Sequence, residues 1–189
     1  MIKIGILGEI GSGKSYVATN FGYPVFNADQ EVAKLYKKEK KIFLKLKTIL
    51  PKYIFLFPIN KKEITKAILA NEQNLKKIVK IVHVEIRKKM LIFLRKNKSK
   101  KVVILDIPLL LENKLNRQKD IIIFVKSQRS QIYKRLKKRK NFNQKLFNKF
   151  KKLQLPLDYK RRRSNFTIKN DFTGKSVKKD VKAILKKIL

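Results

Sequence analysis

Residues 5–16 read GILGEIGSGKSY. Upstream lies IKIGIL (2–7), a short β-branched apolar run that reads as a buried strand ending at Gly8. Downstream, residues 14–21 read as a helix, with Gly22 and Pro24 as stop signals. Gly8-x-x-x-x-Gly13-Lys14-Ser15 therefore sits between a strand and a helix, the context a phosphate-binding loop requires. Glycines let a backbone wrap an anion with its N–H groups turned inward, and a helix start adds the positive end of its dipole. In that reading Gly8, Gly11, Ser12 and Gly13 form the cradle, and Tyr16 flanks it. Lys14 reaches the β- and γ-phosphates of a nucleotide, and the Ser15 hydroxyl ligates Mg²⁺. The competing reading is a flexible glycine turn, which does not require this spacing or these flanks.

Further along, YPVF (23–26), KVVILDI (101–107), DIIIFV (120–125) and FTI (166–168) read as four more strands. Residues 30–97 are helical in pattern, with breaks at Pro51, Pro58 and Asn60. Residues 128–155 read as two helices broken near NFN, and 175–189 as an amphipathic last helix. Strands that alternate with helices, and that are apolar on consecutive positions, predict a parallel sheet covered on both faces. Ligands bind such sheets beyond the carboxyl ends of the strands. The groups expected there are the loop from Gly8, Asn27-Ala28-Asp29, Asp106-Ile107-Pro108 and Lys126-Ser127.

Composition bounds the rest. The chain has 189 residues, 43% of them hydrophobic, enough for one domain with a real core. It has no cysteine and one histidine, which excludes disulfides, thiolate chemistry and a multi-histidine zinc site. No apolar run approaches the ~18 residues that span a bilayer, and MIKIGILG lacks the features of a secretory signal. The expectation is a cytoplasmic protein. Fifty Lys and Arg against 13 Asp and Glu give a formal charge of +37. Such a surface attracts any polyanion. The lysines, however, are scattered through nearly every segment of a chain rich in Ile, Asn and Phe, as A- and T-rich codons would produce. Net charge thus names no specific ligand.

Two acids end strands. Asp106 occupies the usual place for a carboxylate that orients Mg²⁺ through water. Asp29 is placed to take a proton from an acceptor hydroxyl, or else to cap the helix starting at QEVAKLY. Arg135 and Arg139 share a helix face, suited to a phosphoryl group in transfer or simply to solvent.

Taken in order, GILGEIGSGKS, FNADQEVAKLY, IVHVEIRKKM, VVILDIPLLLENKL and LQLPLDYKRRRSNFTIKND resemble the dephospho-coenzyme A kinase family over nearly the whole chain. The loop is shared by many families; its combination with PLLLE is far more specific. The resemblance implies a five-stranded P-loop kinase fold of the nucleoside-monophosphate-kinase type. Its core would be 1–29, 98–133 and 164–189, with a helical acceptor region at 30–97 and a lid at 134–163. It implies transfer of the ATP γ-phosphoryl group to the ribose 3′-hydroxyl of dephospho-coenzyme A, with Mg²⁺. Asp29 matches the family's base, Arg139 the lid arginine and Arg135 a weaker match. His83, Pro108, Leu109 and Glu112 match positions near the acceptor, and Asn170 lies in the region that contacts the adenine. Without the resemblance His83 reads as an ordinary helix residue. The chain departs from the pattern at Glu9, Tyr16, Val84, Lys140 and Ser164-Asn165, and at Asn27, which replaces the first acid of an Asp-Ala-Asp segment.

Two other classes stay open on the residues. One is a different small-molecule P-loop kinase, such as one acting on a nucleoside monophosphate. The other is a basic nucleic-acid-binding protein, which would not need the loop and whose affinity would fall steeply with salt. No base-reading module is visible, so no specific nucleic-acid or membrane partner is expected, and the chain is expected to be a monomer or weak oligomer.

Overall fold

The structure is a computed structural model and describes residues 1–140 and 142–189. The chain divides into two compact units, residues 1–27 with 97–189, and residues 28–96.

The first unit holds every strand described. β1 (Ile2–Gly8), β2 (Val25–Asn27), β3 (Val102–Asp106), β4 (Ile121–Lys126) and β5 (Phe166–Lys169) form one sheet in the order β2-β3-β1-β4-β5. All pairings are parallel. The strands found are those expected, each within two residues of its expected bounds. Their consecutive apolar positions are used on both faces. On one face Ile4, Ile6, Val102, Ile104, Ile123, Val125 and Ile168 pack with Val17, Ala18 and Phe21 of α1 (Lys14–Asn20). Val177, Val181 and Ile184 of α9 (Lys175–Ile188) complete that core. On the other face Leu7, Val103, Leu105, Ile122 and Phe124 are buried as well. Gly5 belongs there, because a Cβ on it would collide with Leu110.

Three more helices complete this unit. α6 (Arg129–Lys137) and α7 (Gln144–Lys152) are the expected pair; of the break expected near NFN, Asn141 lies outside the described residues. α8 (Leu157–Arg162), which packs against β1, was not expected from the sequence pattern. Its signal is Pro156 at the N-cap, where a fixed φ suits helix entry and the missing N–H costs nothing.

The second unit is the helical stretch 28–96. It contains α2 (Ala28–Lys38), α3 (Lys40–Ile49), α4 (Lys61–Ala70) and α5 (Glu72–Lys96). The expected breaks around Pro51, Pro58 and Asn60 are present. Asn60 caps α4 by accepting from the Lys62 N–H at 2.8 Å. Two further breaks, at Glu39 and Asn71, were missed; Asn71 accepts from the Gln73 N–H at 2.8 Å in the same capping geometry. α5 buries Leu75, Ile78, Val82, Ile86 and Met90, a three- and four-residue rhythm that makes one continuous stripe.

Candidate active site

β1 ends at Gly8, opposite Val125 of β4 at the centre of the sheet. The chain winds from β1 to β2 and β3 on one side, then crosses to β4 and β5 on the other. The loop after β1 therefore occupies the position where parallel sheets of this kind bind ligands.

Gly11 and Gly13 adopt φ of 86° and 87°, the left-handed region that glycine enters without a Cβ penalty. Those two reversals turn the loop back on itself before α1. The Ser12 N–H donates to the Glu9 carbonyl (3.1 Å). The Ser12 carbonyl accepts from Ser127 Oγ (2.9 Å) and Asn170 Nδ2 (2.8 Å). Lys14 Nζ folds over the loop to donate to the Glu9 carbonyl (2.9 Å) and the Gly8 carbonyl (3.3 Å). Ser12 is fully buried, yet its Oγ has no hydrogen-bond partner among the described residues. A buried hydroxyl left unpaired costs free energy, and an anion seated in the loop would satisfy it. The first N–H groups of α1 have no acceptor inside the helix and add further donors. The loop thus fits a phosphate chain by its own unsatisfied donors.

Beside the loop lies a cleft of about 210 Å³. Gly11, Gly13 and Tyr16 form one wall. Arg135 of α6 and Arg139 just after it form another. Asn170, Phe172, Thr173 and Gly174 form the third. The Arg135 guanidinium stacks over the Phe172 ring at 4.5 Å from its centroid. Both arginines are solvent-exposed. Underneath, Ile132, Leu136 and Phe147 pack with Ile10, Phe142 and Phe172. One apolar cluster therefore joins the loop, α6, α7 and the segment after β5. The 170–174 wall was missed apart from Asn170; FTG at 172–174, a turn before a helix, was its only sequence trace. Asn170 itself is buried and ties the loop carbonyl while its Oδ1 accepts from the Phe172 N–H (3.0 Å).

At the carboxyl ends of β2 and β3, Asn27 and Asp106 are in register. Asn27 Nδ2 donates to Asp106 Oδ2 at 2.6 Å and lies 3.4 Å from Ser15 Oγ. Among the described residues no three His, Asp or Glu side chains cluster as a metal cage. Ser15 and Asp106 offer two hard oxygen donors, which fits Mg²⁺, an ion that keeps most of its shell as water and substrate phosphate.

The other expected residues fall as follows. Pro108 and Leu109 are half-buried in the turn after β3. Glu112 in the same turn pairs with Lys160 of α8 (Nζ–Oε1 2.7 Å) and accepts from the Leu155 N–H (3.0 Å). That contact is an ion pair without hydrogen-bond geometry, since Lys160 Nζ has no hydrogen-bond partner among the described residues. His83 is half-buried on α5, and Asp29 is exposed in the first turn of α2, two residues after β2 ends.

A central phosphate loop on a β2-β3-β1-β4-β5 parallel sheet, with arginines across a cleft from it, defines a P-loop kinase. A family model described as dephospho-CoA kinase matches residues 2–176. The dephospho-CoA kinase of Wolbachia sp. subsp. Brugia malayi (strain TRS) is 33% identical, covering 96% of this chain and 95% of that protein. Among solved structures, TT1252 from Thermus thermophilus is similar with a TM-score of 0.80 at 25% identity, over 100% of this chain and 98% of that one. The dephospho-CoA kinase from Campylobacter jejuni shares the fold, with a TM-score of 0.65 at 19% identity over 98% and 96% of the two chains. The chain belongs to the dephospho-CoA kinase family.

Proposed function

We propose that this chain phosphorylates the ribose 3′-hydroxyl of dephospho-coenzyme A at the expense of ATP, giving coenzyme A and ADP. The observation that carries the reading is the buried Ser12 hydroxyl, unpartnered among the described residues, inside a glycine loop whose sequence, strand and helix all match a triphosphate cradle. Family membership supplies the acceptor.

In this reading the loop amides and Lys14 hold the β- and γ-phosphates. Lys14 exchanges its carbonyl contacts for anionic phosphate oxygens, which are stronger acceptors for the same ammonium. The nucleotide base side is bounded by Tyr16, Arg135 and the 170–174 segment. Arg135 and Arg139 offset negative charge spreading over the phosphoryl oxygens. Asp29 accepts the proton of the attacking hydroxyl. Ser15, with Asp106 through water, would hold Mg²⁺, and the ion would supply positive charge to offset that of the triphosphate. His83, Pro108, Leu109 and Glu112 are assigned to the acceptor side, residues 30–97 to the acceptor region and 134–163 to the lid. Positioning and electrostatics carry the rate, because this transfer needs little covalent help from protein groups.

The setting proposed is cytoplasmic, as a monomer or weak oligomer with no specific nucleic-acid partner. Among the described residues no helix is long and apolar enough to cross a membrane. The test is an ATP-dependent assay with dephospho-coenzyme A, comparing wild type with Lys14→Ala and Asp29→Asn. Turnover should fall by two to four orders of magnitude in Asp29→Asn, on the order of what a general base contributes. An active Lys14→Ala protein would defeat the assignment of the loop.

A further inference from the structure

We propose that Asn27 is a positioning residue that aims Asp106 and Ser15 together at the divalent cation and holds the charge of that site to a single carboxylate. The inference rests on the reading that Ser15 directly, and Asp106 through water, hold the cation.

The argument starts from register. Asn27 is the last residue of β2 and is paired with Asp106, the last residue of β3. Adjacent parallel strands bring the two side chains to the same end of the sheet. Asp106 is 4% exposed, so its orientation is set by protein contacts. Asn27 supplies one of them through Nδ2 at 2.6 Å from Asp106 Oδ2. The same nitrogen lies 3.4 Å from Ser15 Oγ, on a different element, the first turn of α1. One amide nitrogen thus spans the carboxylate and the hydroxyl. An amide nitrogen is a donor only, so it can serve both oxygens and compete with neither for a cation.

The residue type matters as much as the distance. A carboxylate at position 27 would bring a second negative charge to about the same 2.6 Å from Asp106. Two such charges repel until a cation separates them. Asparagine removes that conflict and leaves the site with weaker attraction for a divalent ion. Outer partners that orient metal donors are known to set affinity by about 10–100-fold. Asn27 is placed to do this for a site whose remaining ligands are phosphate and water.

The experiment titrates Mg²⁺ by calorimetry into the full chain saturated with β,γ-imido-ATP. Affinity for the same nucleotide in EDTA and the melting temperature without divalent ion are measured in parallel. Asn27→Ala should weaken Mg²⁺ by about tenfold or more, with nucleotide affinity in EDTA held within about twofold. Asn27→Asp should move the opposite way, binding Mg²⁺ more tightly while melting lower without it and recovering when it is added. Unchanged Mg²⁺ affinity in Asn27→Ala overturns the positioning role. A parallel fall of nucleotide affinity in EDTA also overturns it, since that is what a loss of loop structure alone produces. Weaker Mg²⁺ binding in Asn27→Asp overturns the charge argument. Ser15→Ala and Asp106→Asn separate the two levels. If both leave Mg²⁺ affinity unchanged, the cation assignment itself fails. If both weaken it and Asn27→Ala does not, only the inference about Asn27 falls.

Discussion

Lys160 is a buried cation in a chain of formal charge +37, and removing its partner should be costly. Its side chain is 0% exposed and Glu112 is 10% exposed, with 2.7 Å between Nζ and Oε1. The ammonium has no hydrogen-bond partner among the described residues, so Glu112 is its counter-charge. Glu112→Leu leaves that charge buried and unpaired, a loss of about 3–5 kcal/mol. Lys160→Met is expected to cost less, about 1–3 kcal/mol, because Glu112 keeps the Leu155 N–H at 3.0 Å and some solvent contact. The double variant replaces the pair by apolar side chains of similar length and should return to within about 2 kcal/mol of wild type. The two substitutions are therefore strongly non-additive. Urea unfolding, followed through amide exchange of Ile123 to Val125 in β4, reports on the unit that contains the pair. Additive singles, or a Glu112→Leu cost below about 1 kcal/mol, would refute the reasoning. The same double variant separates two roles for Glu112. If Glu112 touches the acceptor, KM for dephospho-coenzyme A rises even where stability has been restored.

Other outcomes follow from single observations. Gly13→Ala puts a Cβ against the Asn170 amide at a φ of 87°, so nucleotide affinity measured by calorimetry should fall by tenfold or more, roughly what 1–2 kcal/mol of left-handed strain removes, while the sheet stays folded. Tyr36, in the second unit, has its hydroxyl pushed up to about 12 by burial. A raised value favours the fold below pH 10 and that contribution is lost as pH climbs from 10 towards 12. Tyr36→Phe should abolish this alkaline loss, on the order of 1 kcal/mol of it between pH 9 and 11, seen as a smaller drop in urea midpoint across that range than in wild type. Asp171 is held below its ordinary value of 3.8, first by the Thr173 N–H and then by the Thr173 and Ser176 hydroxyls. A depressed value makes its contribution present above 3.8 and lost as pH falls through the folded value. Asp171→Asn should therefore speed amide exchange at Thr173, in the cleft wall, at neutral pH and flatten its acid dependence.

The five strands and the phosphate loop were legible because both are local. Buried parallel strands use consecutive apolar residues, and Gly11 and Gly13 are demanded by backbone φ alone. Family motifs carried the acceptor assignment, which geometry within either unit does not supply. α8 was illegible: LDYKRR is short, with only Leu157 and Tyr159 to mark an apolar face, and its anchor is Lys160, which reads as solvated until Glu112 is placed beside it. The breaks at Glu39 and Asn71 were hidden by a helical rhythm that runs across them.

What the chain order alone determined was the kind of site, since a triphosphate cradle is a spacing of residues along one turn. Tertiary structure decided how that site is held and what surrounds it. Ser127 and Asn170 meet the Ser12 carbonyl from 115 and 158 residues away, and Asn27 meets Asp106 across 79. Hydrogen bonds depend on ångström distances and carry no periodicity along the chain, so only the closed sheet could bring them into view.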